Sequence, residues 1–140
     1  MVQNLIENKI IQFNQDGELY SLENWNEEIF DVKRVFVVYN VPGNQYRGGH
    51  THKECQQFLF AIKGCLEVIL DNGITKKKII LKDPGKGIYI PPMVWSYQRY
   101  LTPDTVGLVL ASDFFKESDY IRDYNEFLKA LPQNGAFSKP

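Results

Sequence analysis

The strongest constraint on this chain is a succession of short runs rich in β-branched and aromatic residues, each closed by a turn signal. KRVFVVYNV (33–41), QQFLFAIKG (56–64), CLEVIL (65–70), KKKIILK (76–82), GIYIPP (87–92) and VGLVLAS (106–112) all read as strands. Asp71-Asn72-Gly73 stands between two of them as a hairpin turn. Turn signals at about ten-residue intervals, with no helical segments alternating between strands, point to an antiparallel sandwich or barrel rather than βαβ units.

Only the end of the chain has a helical pattern. SDYIRDYNEFLKAL (118–131) offers Ser118 as an N-cap and places Tyr120, Ile121, Tyr124, Phe127, Leu128 and Leu131 at helical spacing. Pro132 ends that pattern, and residues 133–140 are expected to form a loose tail. No repeat, linker or low-complexity tract divides the rest, so residues 1–132 are expected to form a single domain.

Composition excludes several function classes. A chain of 140 residues with 44% apolar and 14% aromatic content is an ordinary globular sequence. The formal net charge of -1 gives no general attraction to nucleic acid or to an anionic membrane, so an anionic ligand needs locally placed basic residues. No apolar run is long enough to span a bilayer, and the opening MVQNLIENKI lacks the basic-then-apolar pattern of a signal peptide. Two cysteines, Cys55 and Cys65, suit reduced thiols in a cytoplasmic protein better than a disulfide scaffold.

The stretch YRGGHTHKECQQF (46–58) carries the chain's only two histidines, His50 and His52. Side chains two apart on a strand share a face, so the pair is expected to project together. Gly48-Gly49 before them permits a sharp turn or the close approach of a ligand. Two histidines near a strand end can also be exposed or satisfied locally, so the pattern alone does not decide.

H-x-H in a chain of short strands resembles the first motif of the cupin superfamily, in which a glutamate and a further glycine follow. Here Gln56 or Gln57 stands at the glutamate position, and Gly64 matches the later glycine. The second cupin motif ends in a histidine; the matching run Pro91-Pro92-Met93-Val94-Trp95-Ser96 ends in Ser96. The expected fold is all-β, a cupin-type β-barrel or jelly roll of short antiparallel strands with a C-terminal helix. A first-row metal in such a site wants two or three imidazoles and a carboxylate, whereas this set offers two imidazoles, an amide and a hydroxyl. The sequence reading therefore assigns no metal. It leaves two imidazoles free to move protons near neutrality. Tyr46, Arg47, Lys53 and Tyr97 are nearby candidates to steady an oxyanion.

A closer resemblance covers about residues 8 to 130. K-R-V, R-G-x-H-x-H-K, the G-x-Y-x-x-P-x-x-W string and L-A-S-D-x-x-x-E-x-D-Y-I-R-x-Y together resemble the sugar-nucleotide 3,4-ketoisomerases, WxcM-like cupins acting on dTDP-4-keto-6-deoxy-D-glucose. The resemblance implies a metal-independent isomerase with no cofactor, which moves a ketone from C4 to C3 through an enediol(ate) on the way to a 3-amino-3,6-dideoxy sugar. It implies His52 as the main base, with His50 as the partner that polarises or shuttles, and a swap of these roles between the two stays open. Arg34 and Arg47 match basic positions suited to the diphosphate. Gln57, Tyr39, Trp95, Ser96, Tyr97 and Asp16 are the further candidate substrate contacts, and a homodimer is the implied assembly.

Phe36 and Val37 depart from the family, whose members often carry tyrosines in that strand. Which face of C4 is protonated, giving the gluco or the galacto product, stays open, with the gluco product preferred. The alternatives are a sugar-nucleotide epimerase, a non-catalytic cupin binding a sugar or nucleotide, and a metal-dependent cupin oxygenase.

Overall fold

The computed structural model describes residues 5–7, 13–15, 17–23 and 25–132. In chain order the strands are β1 (Leu5–Glu7), β2 (Phe13–Gln15), β3 (Gly17–Leu19), β4 (Arg34–Val38), β5 (Gln45–His52) and β6 (Gln57–Lys63). They continue as β7 (Leu66–Asp71), β8 (Lys76–Leu81), β9 (Lys86–Ile90), β10 (Trp95–Tyr100), β11 (Val106–Ala111) and β12 (Tyr120–Ile121). Two short helices, α1 (Trp25–Glu28) and α2 (Tyr124–Ala130), complete the set.

All strand pairs are antiparallel, in two five-stranded sheets ordered β1-β9-β6-β11-β4 and β12-β5-β10-β7-β8, with β2-β3 as a separate ribbon. This is the expected cupin-type jelly roll, although its sheets face each other without closing into one hydrogen-bonded barrel. The strand runs read from the sequence all appear, with ends trimmed by a few residues.

Strand β6 shows what holds the layers together. Its alternation sends Leu59 and Ala61 into the main core with Leu66, Val68, Leu70 and Ile88. The intervening Phe58 and Phe60 enter a second cluster with Phe30 and Leu110, covered by Leu22, Ile29 and Val32. β6 is thus covered on both faces, which is why its apolar residues run without a break. Each such side chain contributes about 1.5–3 kcal/mol on leaving water.

The turn after β7 forms as the sequence suggests. Asn72 Oδ1 accepts from the N–H groups of Ile74 and Thr75, both at 2.9 Å, and Gly73 takes φ +93°. A Cβ on Gly73 would sit 2.3 Å from Leu131 Cδ1, so the turn also seats the segment that follows α2.

The C-terminal helix is shorter than its periodicity predicts. The span 118–131 divides into a 3-10 turn (Glu117–Asp119), β12 and α2. Tyr120 and Ile121 pair with His52 and Thr51 on the free edge of β5, so ladder hydrogen bonds take residues that carry a helical pattern. The N-cap is Asp123 rather than Ser118: its carboxylate accepts from Asn125 N at 2.8 Å and Glu126 N at 3.1 Å. Asp16 and the expected loose tail, 133–140, lie outside the described residues. No helix among the described residues is long and apolar enough to cross a membrane.

Candidate active site

The glycine pair in β5 aims the site. Gly48 and Gly49 take φ +90° and +80°, and the ladder to β10 slips there, pairing Ser96 with His50 but Tyr97 with Gly48. An odd-numbered and an even-numbered residue on one regular strand face opposite ways. The inserted residue removes that conflict, so Arg47 and His50 line the same cavity. Glycine suits position 48 for a second reason: a Cβ there would crowd the backbone of β10, meeting Ser96 O and Tyr97 Cα at 3.2 Å.

The two imidazoles lie edge to face, centroids 5.2 Å apart at 88°. His52 is 5% exposed, and its Nδ1 lies 3.0 Å from Asp119 Oδ2. The same carboxylate accepts from Glu54 N at 2.8 Å and Cys55 N at 3.3 Å, which fixes its position. A carboxylate can only accept, so Nδ1 carries the ring proton and Nε2 holds the lone pair. Nε2 is buried with no hydrogen-bond partner among the described residues. The Tyr120 ring closes the arrangement, 4.3 Å from the His52 ring and 5.0 Å from that of His50.

The environments of the two rings differ. Burial, helped by the neighbouring His52 and Arg122, lowers the His50 pKa to about 4, so its ring is neutral at neutral pH. Burial also lowers that of His52, but the hydrogen bond and charge of Asp119 oppose the shift. Asp119 thus offsets part of the cost of protonating His52, a partner that His50 lacks, while burial still lowers both.

A cavity of about 90 Å3 between the sheets is lined by Arg47, His50, Gln57, Gln98, Tyr100 and Phe36, among others. Gln57 faces it as expected, because Phe58 and Phe60 take the other side of β6. Ser96 is buried opposite His50 and accepts from Gln98 Nε2 at 3.2 Å. The Arg34 guanidinium lies 4.9 Å from the Phe36 ring and 5.8 Å from the Phe115 ring, which in turn packs on Tyr120. Its Nε is buried without a partner among the described residues. A cation is thus held beside the histidines with hydrogen-bonding capacity to spare.

Three expected contacts fall elsewhere. Trp95 lies on the outer face of β10 and is buried because α2 covers it, packing at 5.3 and 5.5 Å from the Tyr124 and Phe127 rings. Tyr97 shares that outer face and meets Tyr46 at 5.5 Å. Tyr39 follows β4 and is 61% exposed. Sequence reasoning missed Asp119, Tyr120 and Gln98. The first two are fixed letters of the motif L-A-S-D-x-x-x-E-x-D-Y-I-R-x-Y but sit in a stretch that reads as helix, and Gln98 carries no motif.

The donors do not fit the metal site of the wider cupin superfamily. The carboxylate and third imidazole of that set are replaced by the amide of Gln57 and the hydroxyl of Ser96, and Nδ1 of His52 is turned to Asp119.

Fold and site together define a cupin-type jelly roll with two buried histidines side by side at the end of β5. Residues 3–132 match the family model FdtA, described as WxcM-like, C-terminal, and the chain belongs to that family. It is 38% identical over 130 residues to a TDP-4-oxo-6-deoxy-alpha-D-glucose-3,4-oxoisomerase of Aneurinibacillus thermoaerophilus, covering 90% of this chain and 94% of that one. The crystal structure of QdtA, a sugar 3,4-ketoisomerase from Thermoanaerobacterium thermosaccharolyticum in complex with TDP, is similar with a TM-score of 0.84. It is 35% identical and covers 92% of this chain and 95% of that one. A histidine-to-asparagine mutant of QdtA, in complex with TDP-4-keto-6-deoxyglucose, is similar with a TM-score of 0.84 at 34% identity. It covers 92% of this chain and 94% of that one.

Proposed function

We propose that this protein is a TDP-sugar 3,4-ketoisomerase that converts TDP-4-keto-6-deoxyglucose to its 3-keto isomer. The observation that carries the mechanism is the His52–Asp119 pair, which leaves Nε2 of His52 as a buried free lone pair. Nε2 takes the proton from C3 of the sugar, and the C–H electron pair forms the C3=C4 bond of an enediolate as the C4 carbonyl becomes an oxyanion. The proton on the C3 hydroxyl moves to that oxygen, and C4 receives a proton as the C3 carbonyl forms. The protons balance, and no electron leaves the substrate.

His50, held neutral, is suited to polarise the two sugar oxygens and pass the proton between them. A neutral imidazole both donates and accepts, which an imidazolium cannot do. Gln57 supplies a neutral hydrogen-bonding group from one sheet, and Ser96 and Gln98 supply others from the facing sheet. Arg34 and Arg47 are the diphosphate anchors, with Arg34 supported by its unpartnered buried Nε.

The product is suited to a 3-aminotransferase, in a route to a 3-amino-3,6-dideoxy sugar. Free thiols at Cys55 and Cys65 support a cytoplasmic site. A homodimer is supported by β4, an edge strand that leaves Val35, Val37 and the following Tyr39 exposed at 51%, 46% and 61%. Incubation with TDP-4-keto-6-deoxyglucose and a 3-aminotransferase, then NMR of the trapped amino sugar, tests the reaction. An amino group at C3 supports this reading, and unchanged 4-keto sugar contradicts it. The same spectrum reports the configuration at C4.

A further inference from the structure

A thiol that the proposed isomerisation does not use, that of Cys55, stands beside the His52–Asp119 pair. Donor atoms of His52, Cys55 and Asp119 all lie within 4.8 Å of one another. Chain direction explains the cluster: β5 ends at His52, the turn that follows brings Cys55 back beneath the ring, and the 3-10 turn delivers Asp119 from the far end of the chain. Cys55 is 3% exposed and free, and among the described residues its thiol makes only long contacts, 3.4 Å to Gln56 O and 3.9 Å from Ser112 Oγ. Nothing in the proposed reaction needs a thiol there.

Imidazole, thiolate and carboxylate form the kind of three-ligand set that zinc accepts, with the fourth position left to water. Tetrahedral zinc with nitrogen and oxygen ligands at 2.0–2.1 Å separates them by about 3.3 Å. His52 Nδ1 and Asp119 Oδ2 already stand 3.0 Å apart. The net charge also closes, because thiolate and carboxylate together neutralise a divalent cation. This trio is not the superfamily's metal set, which would need His50 and the positions of Gln57 and Ser96.

We propose that His52, Cys55 and Asp119 form an inhibitory site for zinc or a similar thiophilic divalent cation, bound through Nδ1, Sγ and Oδ2. The inhibition rests on the reading of His52 as the base; the binding does not. On binding, the thiol releases one proton to solvent, the ring proton moves from Nδ1 to Nε2, and three metal–ligand bonds replace the His52–Asp119 hydrogen bond. A neutral ring coordinated at Nδ1 carries its proton on Nε2, so the lone pair that the proposed reaction uses is lost. The metal switches the base off without entering the cavity, and a chelator reverses it.

Cobalt(II) spectroscopy and turnover test the two halves separately. Chelator-treated protein titrated with Co2+ should develop an ultraviolet thiolate-to-cobalt absorption saturating at one ion per chain, discharged by Zn2+. Cys55→Ser should lose that band, and Cys65→Ser should keep it. In turnover, Zn2+ at about ten times its dissociation constant should lower the wild-type rate about tenfold, with recovery in EDTA. Cys55→Ser and Cys55→Ala should keep basal activity and resist Zn2+, with melting temperatures confirming that they fold. Absence of a thiolate band, or its persistence in both Cys55 variants, overturns the site. A thiolate band without loss of turnover leaves the metal site standing and removes His52 as the base.

Discussion

His52 and Asp119 are 67 positions apart in the chain, yet Nδ1 of one lies 3.0 Å from Oδ2 of the other. The hydrogen bond ties the end of β5 to the 3-10 turn before β12, and it sets which nitrogen of His52 carries the lone pair. Substituting Asp119→Asn keeps the size of the side chain but removes its charge and lets its amide present N–H groups to the ring. The expected outcome is a fall in kcat of about 10²-fold or more with KM little changed. Steady-state kinetics checks this. An equal loss through KM alone would assign Asp119 to substrate binding instead.

The bulge is predicted to be as necessary as the histidines it aims. Gly48→Ala puts a Cβ 3.2 Å from Ser96 O and Tyr97 Cα at a backbone angle of +90°. A destabilisation of roughly 1–3 kcal/mol is expected. Urea unfolding should show a lower midpoint with an unchanged slope, and the folded fraction should turn over slowly because His50 shifts against Ser96.

Arg34 is expected to hold phosphate rather than the fold. It has no carboxylate partner among the described residues, and its Nε is buried and unsatisfied. Arg34→Ala should weaken TDP binding by about tenfold to a hundredfold, measured by isothermal titration calorimetry. Its melting temperature should stay near that of the wild type. Unchanged affinity would move the anchor to Arg47.

The buried histidines make stability depend on pH with a definite sign. His50 has its pKa lowered to about 4, with burial the leading cause, while the unfolded chain titrates near the ordinary value of 6.5. Between those values the unfolded state binds the proton and the folded state does not. Stability is therefore full above pH 6.5 and declines as pH falls toward 4, by at most about 1.4 kcal/mol per pH unit from this residue. His52, also lowered, acts in the same direction. Denaturation curves across that window should show a smaller decline in His50→Gln than in the wild type. An equal decline would place the titration elsewhere.

Much of the architecture is legible in the sequence because its strands are buried on at least one face and punctuated by turns. Gln57 shows the method at its best: it heads an apolar strand on the side where the cavity lies, and Phe58 and Phe60 mark the other side. The misplacements have a common cause in long-range contacts. Trp95 looks like a ligand contact beside a motif, but α2 returns to cover the outer face of β10, and no local pattern announces that. Asp119 hides in a segment whose helical periodicity is genuine. Tyr120 and Ile121 become strand because the edge of β5 offers them partners.

The most direct test is turnover of TDP-4-keto-6-deoxyglucose in deuterated water, comparing wild type with His52→Asn by NMR. Proton transfer through His52 predicts deuterium in the 3-keto product of the wild type. It also predicts no product and no exchange at C3 in the variant, even though that variant still binds TDP. Continued C3 exchange and product formation by His52→Asn would contradict the account.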